Sequence, residues 1–205
     1  MYDIQKEQKR NDAGVGVNAG RLVRVGFMAA LLCILGPVSV AVPVSPVPIS
    51  LGTLAVYLIV VTAGTADALM SCLVYLLLGF AGLPVFSGYM GGAGRLLGPT
   101  GGYLIGFLAL IVTAGAFTGR FQDRRKERLF SLIGLALGTA VLYLFGTGWL
   151  AMISGMGFYE ALWAGVIPFI PGDLVKMLAA VLLGTTLRGR LIQAGLLPAG
   201  REKSH

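Results

Sequence analysis

Two ionisable residues, Asp173 and Lys176, stand three positions apart at the start of the last long apolar stretch of the sequence. At this spacing on a helix both side chains lie on one face, where they offer a hydrogen-bond acceptor beside a donor. That combination suits a ligand group that carries N–H and C=O together, such as a ureido or amide group. Ionisable residues in a membrane-spanning stretch are costly, which favours a functional role. The alternative is a structural pair, with the aspartate favoured by the helix dipole and the lysine beside it.

Arg95 is the only charged residue between Asp67 and Arg120, and it lies in a glycine-dense stretch, Gly79 to Gly106. Glycine allows a ligand to approach the backbone closely, and a guanidinium is well suited to holding a carboxylate. We therefore predict a lid in which Arg95 binds an anionic group of the ligand. The alternative is a mobile connector with a solvated arginine.

Small residues recur at a spacing of four on the first apolar stretch, where Gly26 precedes Ala30 and Ala29 precedes Cys33. In membranes this spacing lets two helices pack closely. Such pairs are frequent in membrane helices, so the pattern by itself indicates close packing and does not identify a partner.

The composition defines the kind of protein that must position these residues. Of 205 residues, 56% are hydrophobic and 12% are charged, whereas a soluble domain carries about 25% charged residues. Four long gaps without Asp, Glu, Lys or Arg lie between Arg24 and Asp67, Asp67 and Arg95, Arg95 and Arg120, and Arg128 and Glu160. Each gap is long enough for one or two crossings of about 20 residues. The sequence therefore predicts an all-α membrane protein.

Six crossings are predicted, over residues 25–42, 51–63, 68–80, 100–118, 129–149 and 172–187. The proline-rich segment 43–48 follows the first crossing and is predicted to be an ordered, extended loop. A break at residues 63–67 separates the second crossing from the third and places Asp67 at a membrane surface. The positive-inside rule supports this break, because the basic segment 120–128 and the basic N-terminal residues both belong in the cytoplasm and need an even number of crossings between them.

The chain is accordingly divided into three parts. Residues 1–24 are expected to form a cytoplasmic N-terminal segment, residues 25–187 a six-helix transmembrane domain, and residues 188–205 a cytoplasmic tail. Both termini of this multi-pass cell-membrane protein are expected inside. The net charge of +7 is explained by flanks that face anionic lipid, and no nucleic-acid partner is expected.

The sequence favours neither an enzyme nor a metal site, and no cofactor is expected. The only histidine, His205, lies in the tail, which removes the usual general base and metal ligand from the crossings. Cys33 and Cys72 lie in apolar runs, where a thiol behaves as a small hydrophobe. No G-x-x-x-x-G-K-S/T phosphate loop occurs, so the chain is not expected to energise transport with ATP by itself.

Four segments carry a resemblance to a known family: Val47-Pro48-Ile49, then residues 82–86 (GLPVF), 97–103 (LGPTGGY) and 170–176 (IPGDLVK). In this order, and over Val25 to Leu187, the chain resembles the BioY family of biotin transporters, the substrate-binding S components of energy-coupling factor transporters. The resemblance implies a six-helix bundle that captures biotin near the outer surface under extracellular loops. It also implies partnership with a transmembrane T subunit and two ATPase subunits.

The resemblance implies roles for particular residues. Asp173 and Lys176 would meet the biotin head, and Arg95 is the candidate for a ligand-binding arginine in the third loop. Aromatic walls would come from Phe86, Tyr89 and Tyr103. The T subunit would contact the small residues of the first helix, which are Gly26, Ala29, Ala30 and Cys33.

One departure from the family pattern affects the expected site. The family commonly reads Pro-Ile-Thr-Leu-Gln-Thr after the proline-rich loop, whereas this chain has Gly52 in place of the glutamine. Any ligand contact made by that glutamine is therefore missing. Four alternatives remain open. Two are transporters: an S component for another small vitamin, and a BioY-like transporter that works without ATPase partners. The other two come from different classes: a membrane enzyme and a structural assembly subunit.

Overall fold

The computed structural model of the protein describes residues 19–41, 43, 45–121 and 123–197. Helices dominate this part of the chain. In order, its elements are α1 (Ala19–Leu35), β1 (Ser39–Val40), β2 (Ile49–Ser50), α2 (Gly52–Ala63), α3 (Thr65–Phe80), α4 (Ala93–Leu97), α5 (Gly101–Gly115), α6 (Arg124–Ser154), α7 (Phe158–Gly165) and α8 (Ile170–Gln193). Within the described ranges, six of the helices have 12 to 31 residues.

The first helix differs from its prediction at both ends. It begins at Ala19 and ends at Leu35, so the prediction that it continues to residue 42 was wrong. Pro37 follows closely and has no N–H to continue the helical hydrogen bonds. The apolar residues that follow instead enter β1, which pairs antiparallel with β2 across the proline-rich segment. Val42 and Val44 of that stretch lie outside the described residues.

The predicted break between the second and third crossings is confirmed. Helix α2 ends at Ala63 and α3 begins at Thr65, three residues earlier than expected. The joining residue, Gly64, has a φ of 83°, which glycine adopts without the steric penalty of a side chain. One residue is therefore enough to reverse the chain.

Asp67 lies in the first turn of α3, next to this break, and its side chain is buried. Its exposed fraction is 7%, because two arginines of α1 cover it from the neighbouring helix. Nε of Arg21 lies 2.8 Å from Oδ1, and Nε of Arg24 lies 3.1 Å from Oδ2. Arg24 also donates a 2.8 Å hydrogen bond to the Leu196 carbonyl. The aspartate therefore fastens α1 to α3.

The last two long helices extend beyond their predicted ends. Helix α6 begins at Arg124, where Asp123 caps it by accepting a 2.8 Å hydrogen bond from the Arg125 N–H. Helix α8 begins at Ile170, since Pro171 fits the first turn of a helix. It continues to Gln193, so the expected tail at residues 188–205 begins within a helix.

The helices pack around α2, which runs parallel to α8 because their starts and their ends are joined by hydrogen bonds. Helix α5 packs along α6, α2 along α8, and α1 against α3. Most of α2 is buried, including Val56, Tyr57 and Ile59. The Tyr57 hydroxyl meets the Thr139 hydroxyl of α6 at 2.7 Å. The basic ends of α1, α6 and α8 lie at one end of the bundle, while the starts of α2, α5 and α8 lie at the other.

Among the described residues, two helices are long and apolar enough to cross a membrane, α6 and α8. Helices α2, α3 and α5 are apolar but shorter. Large apolar side chains are exposed along the outside of the bundle, among them Leu77, Leu144 and Leu182. Such a surface is unusual for a protein surrounded by water.

Candidate ligand-binding site

A cavity of about 60 Å³ lies between the proline-rich segment and the starts of α2, α5 and α8. It is lined mainly by apolar and aromatic side chains with a few polar groups, as small-molecule sites usually are. The lining residues are Val47, Pro48, Ser50, Thr53, Phe86, Ser87, Thr100, Tyr103, Leu104, Phe107, Leu142, Tyr143, Phe169, Asp173 and Lys176.

Asp173 and Lys176 form an ion pair in the cavity wall. Nζ of the lysine lies 3.0 Å from Oδ1 of the aspartate. Both residues are buried, with exposed fractions of 3% for Asp173 and 9% for Lys176. They occupy the first two turns of α8, and the predicted shared helix face is therefore present. Two opposite charges this close neutralise each other in a site with little water.

All three N–H donors of the Lys176 ammonium have partners. Besides Asp173, they reach the Ser50 carbonyl at 2.7 Å and the Thr53 hydroxyl at 3.0 Å. An ammonium has three donors and no acceptor. A ligand carbonyl could therefore accept a hydrogen bond from Lys176 only if the ammonium released one of these three acceptors.

Asp173 retains capacity to accept a hydrogen bond. Its Oδ1 is within hydrogen-bond distance of Lys176 and of the Thr53 hydroxyl, the latter at 3.2 Å. Its Oδ2 accepts a 2.7 Å hydrogen bond from the Tyr143 hydroxyl. A carboxylate offers about four lone-pair positions, so one on Oδ2 is open. The arrangement suits an N–H group of a ligand placed beside Tyr143.

Aromatic rings form the walls, and two predicted aromatics are among them. Phe86 is buried and makes an edge-to-face contact with Tyr75 at a ring-centroid distance of 5.5 Å. Tyr103 is anchored by a 2.8 Å hydrogen bond from its hydroxyl to the Gly165 carbonyl. Gly79 and Gly146 make room for these rings, since an added Cβ would overlap Phe86 and Tyr103, respectively.

Arg95 and Tyr89 lie outside the cavity lining. Arg95 reaches the Ser87 carbonyl with Nη2 at 3.4 Å. Its Nε is buried and has no partner among the described residues. Tyr89 is 68% exposed and has a φ of 58°. Their contact with a ligand remains a prediction.

The small residues of α1 point in two directions. Gly26 and Ala30 are exposed, and nothing lies near the position of a Cβ on Gly26. Ala29 is buried within this chain with an exposed fraction of 3%, and Cys33 is half-buried. Gly26, Ala30 and the exposed part of Cys33 are therefore available for contact with another protein, whereas Ala29 is not.

Three residues of the polar network were not predicted from the sequence: Ser50, Thr53 and Tyr143. For Tyr143 a signal was present, because Thr139, Tyr143 and Thr147 follow one another at a spacing of four in an apolar stretch, which places them on one helix face. Ser50 contributes its backbone carbonyl, a group that every residue has. At Gly52 the backbone N–H donates a 2.9 Å hydrogen bond to the Ser50 hydroxyl.

Nothing among the described residues suggests a metal centre, as no three of their His, Cys, Asp or Glu side chains gather in one place. The site is therefore a mostly apolar chamber with one neutralised ion pair and one open carboxylate position. It can hold a small amphipathic molecule that presents an N–H donor.

Comparison with known proteins gives a consistent result. The sequence profile of the BioY family matches residues 7–193. The chain is 39% identical to the probable biotin transporter BioY of Pyrococcus horikoshii over 150 residues, which cover 73% of this chain and 86% of the relative. It is 36% identical to the biotin transporter BioY of Rhizobium etli over 186 residues, covering 87% and 96%, respectively.

A solved structure agrees with these sequences. The fold is similar to a crystal structure of the S-component for biotin from an ECF-type ABC transporter, with a TM-score of 0.73 and 30% sequence identity. The likeness covers 82% of this chain and 90% of the other. From the profile, the relatives and the shared fold, this chain belongs to the BioY family.

Proposed function

We propose that this protein captures biotin in the cavity and carries it across the cell membrane as the S component of an energy-coupling factor transporter. The observation that carries the proposal is the buried Asp173, Lys176 and Tyr143 network in an aromatic chamber, found in a chain whose relatives are biotin transporters. The protein is thus a transport subunit and not an enzyme.

The chemistry of the chamber fits the bicyclic head of biotin. The open position on Oδ2 of Asp173 accepts one ureido N–H, and the rings of Phe86 and Tyr103 cover the apolar faces. The ureido oxygen accepts a hydrogen bond from the Lys176 ammonium, which then releases the Ser50 carbonyl or the Thr53 hydroxyl. Tyr143 fixes the aspartate in the orientation that this contact needs.

Arg95 binds the carboxylate of biotin in this proposal. Its support is a guanidinium whose Nε is buried without a partner in the described structure and which reaches Ser87, a residue of the cavity wall. A guanidinium offers five donors and suits a carboxylate. A small movement of the loop that carries α4 would bring it to the ligand, together with Tyr89.

The architecture proposed for this function is a bundle of six membrane-crossing helices, α1, α2, α3, α5, α6 and α8. The arginines of α1, of the start of α6 and of the end of α8 lie at the end opposite the cavity, and the positive-inside rule assigns that end to the cytoplasm. The cavity then opens toward the outside. Cysteine labelling that finds residue 125 accessible from outside in intact cells would contradict this orientation.

The partners proposed are a transmembrane T subunit and two ATPase subunits. The exposed pair Gly26 and Ala30 on α1 supports this, because small residues let another helix approach closely. Gly26→Leu and Ala30→Leu are expected to leave biotin binding unchanged and to reduce co-purification with the T subunit. The matched control is Ala140→Leu, which adds the same bulk at an exposed position of α6.

The test of the function is direct binding of labelled biotin to the purified protein in detergent. Saturable binding is expected, and Asp173→Asn is expected to weaken it at least tenfold, while Glu160→Gln leaves it unchanged. Saturable binding of a different vitamin in the absence of biotin binding would assign the protein to another S component instead.

A further inference from the structure

A second polar site lies at the other end of the bundle, where the start of α6 meets the end of α8. Arg128 of α6 reaches the Thr185 hydroxyl of α8 with Nε at 3.4 Å. Arg188 lies one turn further along the same face of α8. Its Nη1 reaches the Val61 carbonyl at 3.4 Å. Arg128 and Arg188 therefore lie at the same end of the bundle, on two helices that pack against each other.

Neither guanidinium is neutralised within the described structure. The ion pairs there join Arg21 and Arg24 to Asp67, and Lys176 to Asp173, so they include neither Arg128 nor Arg188. Both arginines are half-buried. Each uses a single long hydrogen bond to a neutral oxygen, although a guanidinium has five N–H donors.

The nearest acidic residue along the chain, Glu127, is occupied elsewhere. Its carboxylate accepts hydrogen bonds from the backbone N–H groups of Gly119, Arg120 and Phe121, and from the Ser131 hydroxyl. The Arg188 guanidinium lies directly over Gly119, where an added Cβ would overlap it. The carboxylate therefore orders the loop beneath the arginine and has little capacity left to pair with it.

Exposed apolar side chains lie between these arginines and the middle of each helix. Leu129 and Ile133 are exposed on α6, as are Leu178 and Leu182 on α8. A ligand that matches the whole arrangement carries a negative group with several acceptor oxygens and a long apolar part. Arginine forms paired hydrogen bonds with phosphate particularly well.

We propose that Arg128 and Arg188 bind the headgroup phosphate of an anionic phospholipid of the cytoplasmic leaflet, with its acyl chains along the exposed leucines of α6 and α8. The site is distinct from the biotin cavity, at the opposite end of α8, and does not depend on which vitamin the cavity takes. It depends on the membrane placement of the bundle.

The probe is phosphatidylglycerol added to the delipidated full-length protein, with retained lipid counted by native mass spectrometry. We expect retention of phosphatidylglycerol over phosphatidylcholine by about tenfold or more, which corresponds to one hydrogen bond to a charged group at the weak end of its range. Arg128→Gln with Arg188→Gln is expected to remove that preference. The matched control, Arg124→Gln with Arg125→Gln, removes the same charge from exposed positions at the same end and is expected to keep it.

Thermal unfolding in detergent verifies that each variant is folded, and this check does not depend on the ligand of the cavity. Equal loss in the control pair would show that diffuse positive charge attracts the lipid, which overturns the site. Displacement of phosphatidylglycerol by inorganic phosphate alone would also overturn it in favour of a simple anion site. If the double variant fails to fold, lipid retention is measured on Arg128→Gln and Arg188→Gln separately. An unchanged preference for phosphatidylglycerol in both single variants rejects the proposal.

Discussion

The ammonium of Lys176 donates a 2.7 Å hydrogen bond to the backbone carbonyl of Ser50, which precedes it by 126 residues in the chain. The Ser50 hydroxyl donates a 2.8 Å hydrogen bond to the Gly36 carbonyl, just after α1. The ligand network on α8 is thereby connected through β2 to the end of the first helix. The cation at the site both neutralises Asp173 and holds the segment that covers the cavity.

Replacing Lys176 with alanine is expected to weaken biotin binding at least tenfold, because it leaves Asp173 as a buried, unpaired carboxylate. Removing one partner of a buried hydrogen bond costs about 1 to 3 kcal/mol, and more when the groups are charged. Calorimetry on Lys176→Ala, Asp173→Asn and the double variant measures their coupling. Losses of binding free energy that add in the double variant would show that the two residues act independently. Arg124→Ala is the control and is expected to bind biotin normally.

Tyr143→Phe is expected to weaken biotin binding by about fivefold to a hundredfold, corresponding to one lost hydrogen bond to a buried carboxylate. The change removes only the hydroxyl that holds Oδ2 of Asp173. Tyr159→Phe removes the same atom from a side chain that is 79% exposed and should bind normally. Equal affinity in the two variants would remove Tyr143 from the site.

Arg95→Ala is expected to abolish discrimination between biotin and a biotin amide that lacks the acid. The native protein should bind the amide more weakly, since the guanidinium loses a charged partner. The variant should bind both compounds about equally. If it still distinguishes them by the native factor, the carboxylate partner is another cation, and Lys176 is the next candidate.

Gly146→Ala is expected to lower both thermal stability and biotin affinity, because the added methyl group would overlap the Tyr103 ring. Gly148→Ala supplies the control on the same helix, since nothing lies near the position of its Cβ. Thermal unfolding in detergent and biotin titration compare the stability and the biotin affinity of the two variants. A stable, fully active Gly146 variant would mean that the wall can move to accept the methyl group.

Asp67→Asn is expected to lower the thermal unfolding temperature without changing biotin affinity. The substitution removes the negative charge that holds Arg21 and Arg24 and so loosens α1 from α3. Glu160→Gln, at an exposed position, controls for the loss of one acidic group. A fall in biotin affinity at unchanged stability would show that this end of the bundle is coupled to the cavity.

The sequence predicted the helices better than their ends. Charge-free gaps and the positive-inside rule were enough to place the break that Gly64 makes between α2 and α3. The end of α1 was missed because Val38, Val40 and Ala41 continue the apolar run. Val40 lies in a short strand pair, which depends on a partner segment that hydropathy does not reveal.

The sequence predicted the charged residues of the site but not the residues that act through their backbone. Asp173 and Lys176 were noticeable because charges are rare in the apolar stretches. Ser50 could not be found in this way, since it acts through its backbone carbonyl. The ion pairs of Asp67 were not predicted, because its partners Arg24 and Arg21 lie 43 and 46 positions away, and only the packing of α1 on α3 brings them together.

Helix α8 connects the ligand cavity at one end of the bundle to the basic residues at the other end. At about 1.5 Å per residue, the part of α8 from Asp173 to Arg188 is roughly 22 Å long. Free energies of substitutions more than about 10 Å apart generally add. Substitutions at the basic end are therefore expected to leave the free energy of ligand binding at the cavity unchanged. Exposed positions at that end, such as Arg125 and Lys126, are suitable for attaching a fluorophore or a surface tether without altering ligand affinity.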